Sequence, residues 1–497
     1  MKRRLWKIWL VLALLAGAAV WYTDRPPLST VGRVAFDRKL AIPPLAPSTV
    51  VDGFRTFDLT AAGGVTDFGH GGTRTAGYNG TYLGPTLRVK RGERIRVRVR
   101  NDLEQDSTVH WHGAILPAAV DGGPHRPIRA GRTADMRWTV DQPAATLWYH
   151  PHPDGHTEDQ VMRGLAGMFL IDDDDPRTAG LPHEYGVDDL PVIVQDREFD
   201  RRGQFRTRPD FSSDIGVLGD TLLVNGVIGP YREVRTSLVR LRLLNGSAGR
   251  PYEFGLVSDH EAGDRGFQVI STDGGLLAAP VARTRIRLAA GERADIVVPV
   301  RPGERLTLRS LAPSPGENLL VRRFEGGMDS FDVLELRAAA TLTPSPPLPP
   351  VLSDLPPPDP TGAAHERSFE FYQRTINDKS MDMHRTDLVA VAGTREIWTV
   401  HSTHLMPHIF HLHGQRFRVL DVDGDPPPAE LAGWKDTINL PMGVRFRLLV
   451  EFSGNADENT PYMYHCHVLR HEVEGMMGQF LVVAPGREKY AAIRHHQ

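Results

Sequence analysis

Residues 465–477 read HCHVLRHEVEGMM and hold the only cysteine of the 497-residue chain, Cys466. His465 and His467 flank it, His471 follows, and Met476 comes five residues later. Thiolate, imidazole and thioether donors in one short segment suit copper better than other common metals, and Cys/His/His ligation with a weak axial Met is the blue-copper electron-transfer arrangement. The imidazole still missing from such a set comes from HIFHLHG at 408–414, with His408, His411 and His413.

Successive side chains of a strand point to opposite faces. His465 and His467 therefore face away from Cys466 and cannot share its metal. They imply a second metal centre behind the strand, joined to the first through two covalent neighbours. HWHG at 110–113 (His110, His112) and WYHPH at 148–152 (His150, His152) match that need, each as an i, i+2 pair on one strand face. A single such pair, or a lone buried cysteine, is ordinary. Four blocks with ten histidines and one cysteine are not.

These blocks closely resemble the multicopper oxidases, within which the chain looks most like the bacterial copper-efflux oxidase and its laccase-like relatives. VDGGP at 120–124, DQPAAT at 141–146, RGLAG at 163–167 and GWKDT at 433–437 support the resemblance, which covers nearly the whole chain after the leader. It implies four copper ions. His408, Cys466, His471 and Met476 would bind the type 1 copper, and His110 and His411 the type 2 copper. The type 3 pair would take His112, His150 and His467 on one ion and His152, His413 and His465 on the other. It also implies the reaction: a reducing substrate, either phenols and aminophenols or Cu(I), loses single electrons at the type 1 copper, and dioxygen is reduced to two waters at the trinuclear cluster. Asp121 and Glu472 match family positions that supply protons, and Asp436 resembles a carboxylate at the type 1 edge that receives substrate. An axial Met476 should lower the type 1 potential relative to an apolar residue there. Copper-efflux members carry a methionine-rich insertion that this chain lacks, Met381 and Met383 being all that remains, which weakens the Cu(I) reading.

The body reads as all-β. TLRVKRGERIRVRVRNDL at 86–103 alternates apolar and charged residues, as short sandwich strands do. Residues 92–113 repeat as 393–414, and 146–171 as 461–482, while 238–256 is a third copy without the histidines. Three consecutive cupredoxin-like Greek-key β-sandwich domains follow, over 44–175, 190–340 and 365–486. The middle domain serves as a ligand-free spacer, and the trinuclear cluster lies between the first and third. DDDDP at 172–176 opens an acidic connector, its run of aspartates read as a solvated turn, and 341–364 is a proline-rich linker, semi-rigid and extended.

Residues 1–23 combine a basic head with a short apolar run, an export signal or, if uncleaved, an anchor. A periplasmic or otherwise exported monomer is expected. One cysteine allows no internal disulfide, so stability rests on the core and the metals. The net charge of −3, with no basic tract beyond the leader, leaves no footprint for nucleic acid. Two other classes share the fold. A non-catalytic scaffold, like the copper-less cell-division members, predicts missing ligands. A two-centre nitrite reductase would lack His150, His152, His465 and His467. His125, His156, His404, His495 and His496 carry no assigned role.

Overall fold

A computed structural model describes residues 27–208, 213–312 and 326–488. The leader and His495 and His496 lie outside the described residues. Among those described, no helix is long and apolar enough to cross a membrane.

Among the described residues, strands pair into six sheets, two per sandwich. The strand Arg94–Asn101 shows why: Ile95, Val97 and Val99 are buried, whereas Arg94, Arg98 and Arg100 are exposed. Period-two alternation lets such a strand cover a core with one face and meet water with the other. Arg98 pairs with Asp58 at 2.6 Å and Arg100 with Asp102 at 2.7 Å, while Arg94 lies over the Phe54 ring. The first sandwich lies within Ser48–Asp172, the second mainly within Asp189–Thr343, and the third within Glu366–Val483.

In the first and third copies of the repeat, the strand corresponding to Arg94–Asn101 is followed by one that carries the histidines, His110–His112 and His408–Leu412. In the middle copy that place is taken by Tyr252–Ser258, whose Tyr252, Phe254 and Leu256 fill the core instead.

Three features add to the sequence reading. Arg38–Lys39 pairs in parallel with Pro230–Tyr231, so a segment preceding the first domain completes a sheet of the second, and Leu40 enters its core. The proline-rich linker docks on the second domain at Leu352, which is fully buried and whose backbone N–H donates to Ala278 O at 2.8 Å. The aspartates of 172–175 lie at the surface, where Asp172 pairs with Arg88, the exposed Asp174 with Lys90 and Asp175 with Arg177.

Candidate metal centre

The histidines converge because strand register places them opposite one another. His110 pairs with His150 across one ladder, and His411 with His465 across another. The two ladders belong to the first and third domains and face each other. His110 and His413 stack at 3.7 Å between ring centroids, as do His112 and His411. Phe410 is the cross-strand partner of Cys466, which therefore points into the third domain's own core.

Two sites result. On the core side, Cys466 Sγ lies 3.5 Å from His408 Nδ1 and 3.4 Å from His471 Nδ1, and those two nitrogens are 3.0 Å apart. Met476 is fully buried in the same apolar cluster, and its carbonyl accepts from the Cys466 N–H at 3.1 Å. Behind the strand, eight imidazoles form a second group. His110 Nε2 is 3.3 Å from His411 Nε2; His112 Nδ1 is 3.4 Å from His150 Nε2; His465 Nε2 is 3.3 Å from His152 Nε2 and 3.0 Å from His413 Nε2. His112, His150 and His467 form one convergent triad, and His152, His413 and His465 another.

Burial sets the protonation of these groups. It holds His112, His150, His152, His411, His413 and His465 well below the usual imidazole range, with neighbouring imidazoles adding to the effect. His467 is pushed down to about 3, and both its nitrogens lack a hydrogen-bond partner. His408 and His471 are lowered in the same way, and burial raises the Cys466 thiol to about 12. Neutral imidazoles with converging lone pairs, in one site beside a desolvated thiol, are donor sets for a cation. The donor set of each site fits copper.

Sequence comparison gives the same answer. Models of the multicopper oxidase family match residues 63–176 and 354–486. The chain is 33% identical to the multicopper oxidase mco of Staphylococcus haemolyticus, over 87% of this chain and 89% of that one. The chain belongs to the multicopper oxidase family. It is 37% identical to the cell division protein FtsP of Salmonella typhimurium, over 83% of this chain and 86% of that one. Among solved structures, the laccase-like multicopper oxidase CueO from Ochrobactrum sp., with oxidase activity towards lignin model compounds and lignosulfonate, superposes with a TM-score of 0.81. It shares 34% identity, over 89% of this chain and 100% of that one.

A metal-ligating imidazole usually donates its other ring N–H to a carboxylate or carbonyl, which orients the ring. His150 Nδ1 donates to Pro151 O at 2.9 Å and His465 Nδ1 to Cys466 O at 3.1 Å. His413 Nδ1 lies 2.8 Å from Asp121 Oδ2, and His110 Nδ1 lies 3.0 Å from Asp121 O. Glu472 places its carboxyl oxygens 3.5 Å from His152 Nδ1 and from His465 Nδ1. Burial raises this carboxyl to about 8.

Asp436 differs from its expected place. It lies behind the strand among the eight imidazoles, with Oδ1 3.1 Å from His112 Nε2 and its backbone carbonyl 2.9 Å from His411 Nδ1. The reason is register: Thr437 pairs with His411, so the Asp436 turn backs onto the cluster rather than onto His408. At the outer edge of the Cys466 site, Asp214 O is 3.1 Å from His471 Nε2, and the His404 ring stacks 5.4 Å from that of His408. Sequence reasoning assigned neither. His404 is four residues before His408, a spacing that carried a signal; Asp214 is brought in from the second domain and carried none.

Proposed function

We propose that the chain is a copper-dependent oxidase that passes single electrons from a small reducing substrate to dioxygen, releasing two waters. The carrying observation is that Cys466 belongs to one site while its two chain neighbours, His465 and His467, belong to the other. The type 1 copper is assigned to His408, Cys466, His471 and Met476, and the type 2 copper to His110 and His411. The type 3 pair is assigned to His112, His150 and His467, and to His152, His413 and His465. When bound, these four ions supply one-electron oxidation at one site and four-electron reduction of dioxygen at the other. Cys466 with its neighbours is the shortest covalent route between the sites. Glu472 holds a proton near neutral pH within 3.5 Å of two cluster histidines, and Asp121 sets the His413 tautomer while leaving Oδ1 buried without a partner. We assign both to the delivery of protons to oxygen. Asp436 is assigned to bracing the rings rather than to receiving substrate.

Phenols and aminophenols are the favoured substrate class, supported by the activity of the Ochrobactrum relative and by the missing methionine-rich insertion. Cu(I) is the competing one. A second reading, a non-catalytic scaffold, is kept alive by the identity to FtsP, which is as high as that to the oxidases.

Copper content and visible absorption of the loaded protein test the proposal, followed by oxygen uptake with a phenol or with Cu(I). Four coppers, a thiolate band and uptake support the oxidase, and the faster substrate assigns its class. A colourless protein that stays metal-poor under loading favours the scaffold. Cys466→Ser should abolish colour and turnover together; turnover that survives would sink the covalent route.

A further inference from the structure

The middle domain has no ligand histidine, yet it reaches the cluster at one point. Gly291 lies so close to His467 that a Cβ there would fall 2.9 Å from the ring, and its φ of +86° is one that glycine favours. Two residues on, Arg293 is fully buried beneath the same cluster.

A guanidinium has five N–H donors in a rigid fork, and at Arg293 all five are used. Nε donates to Thr146 O at 3.1 Å in the first domain. Nη1 donates to Gly291 O at 3.2 Å, and Nη2 to Asp273 O at 3.0 Å, both in the second. Nη1 and Nη2 each donate to one oxygen of Asp436, in the third domain, at 2.7 Å. Gly113 completes the fit, because a Cβ there would lie 2.4 Å from Nη2 and 2.5 Å from Asp436 Oδ2.

The clamped carboxylate then sets two rings. Thr437 Oγ1 donates to Asp436 Oδ1 at 2.8 Å, which turns its lone pairs toward His112 Nε2, 2.9 Å away, and His411 Nδ1, 3.0 Å away. Asp436 Oδ1 and its backbone carbonyl face the same two nitrogens. Every neighbour of His112 Nε2 and His411 Nδ1 is therefore an acceptor, so both nitrogens carry the proton. The lone pairs left for metal are His112 Nδ1 and His411 Nε2. His112 thus presents Nδ1, whereas the neighbouring His150, His411, His413 and His465 present Nε2.

We propose that Arg293 is a positioning residue for the trinuclear cluster, fixing through Asp436 the tautomers and ring orientations of His112 and His411. This rests on the copper reading above, but its geometric core does not require metal. The spacer domain is on this account part of the cluster's support.

The test uses the full chain with 15N-labelled histidine, comparing wild type with Arg293→Met, Arg293→Lys and Asp436→Asn. Long-range proton–nitrogen correlation of the metal-free protein reads the tautomers directly. Wild type should show His112 protonated on Nε2 and His411 on Nδ1; Arg293→Met should redistribute the His112 proton. Arg293→Lys keeps the charge without the fork and carries the test if Arg293→Met does not fold. On copper loading, the variants should keep the thiolate band and the type 1 potential, because Cys466 lies on the other face. Cluster copper should bind about 10–100-fold more weakly, with an altered type 2 resonance. Folded variants with wild-type tautomers and a wild-type type 2 resonance would overturn the proposal. Tautomers that shift as expected in a wild type that takes up no copper would support the positioning role while sinking the oxidase reading.

Discussion

Glu472 keeps its proton to about pH 8 because burial removes the water that would solvate its anion, and Glu158, on the neighbouring short helix, is raised by burial to about 7. Both exceed the ordinary carboxyl value of 4.5, so the folded chain holds protons that the unfolded chain has lost. The sign follows from linkage: their contribution to stability is complete below pH 4.5 and is lost as pH rises through about 7 and 8. The melting temperature of the metal-free protein should fall across that window, and Glu472→Gln should flatten the fall. An unchanged slope would mean that Glu472 is solvated. The histidines of the two sites were legible because HxH puts two rings on one strand face, a purely local rule. Asp436 was misplaced because GWKDT says nothing of which side of the strand its turn backs onto; only the pairing of Thr437 with His411 decides that. Glu158 carried no signal at all, its burial being a property of the packing between two short helices.

At the scale of the element, the repeat explains why two domains carry ligands and one does not. The same strand pair occurs three times, and in the middle copy the core-facing Tyr252, Phe254 and Leu256 alternate with Glu253, Gly255 and Val257, so no histidine stands on the outer face. That difference was readable. The loop 289–293 was not, since it bears no metal donor and its value lies in how closely its backbone approaches His467. Gly291→Ala tests it. The added methyl meets the ring at 2.9 Å in a backbone conformation that alanine disfavours. The substitution should cost about 1–3 kcal/mol, measured by denaturant midpoint, and should perturb cluster copper before the Cys466 band. Full stability with a normal cluster would show that the loop yields freely.

For the whole molecule, order along the chain is not order in space. Alternating strands and repeats announced three sandwiches, but the pairing of Arg38–Lys39 with the second domain is a long-range contact that no local pattern encodes. Leu40 anchors that segment at 4% exposure among the second domain's apolar side chains. Leu40→Ala should destabilise the protein by about 2–5 kcal/mol, seen as a lower unfolding midpoint, with the spectrum of the folded, copper-loaded state unchanged. A loss confined to the first domain would contradict this assignment. The three domains meet at the cluster, the first and third through their histidines and the second through Gly291 and Arg293. The measurement that bears most directly on the account is the stoichiometry of the copper-loaded protein with a phenol under air. The account predicts four single-electron oxidations for each dioxygen consumed, with no hydrogen peroxide released. Two oxidations per dioxygen with accumulating peroxide, or no oxygen uptake by a fully loaded protein, would contradict it.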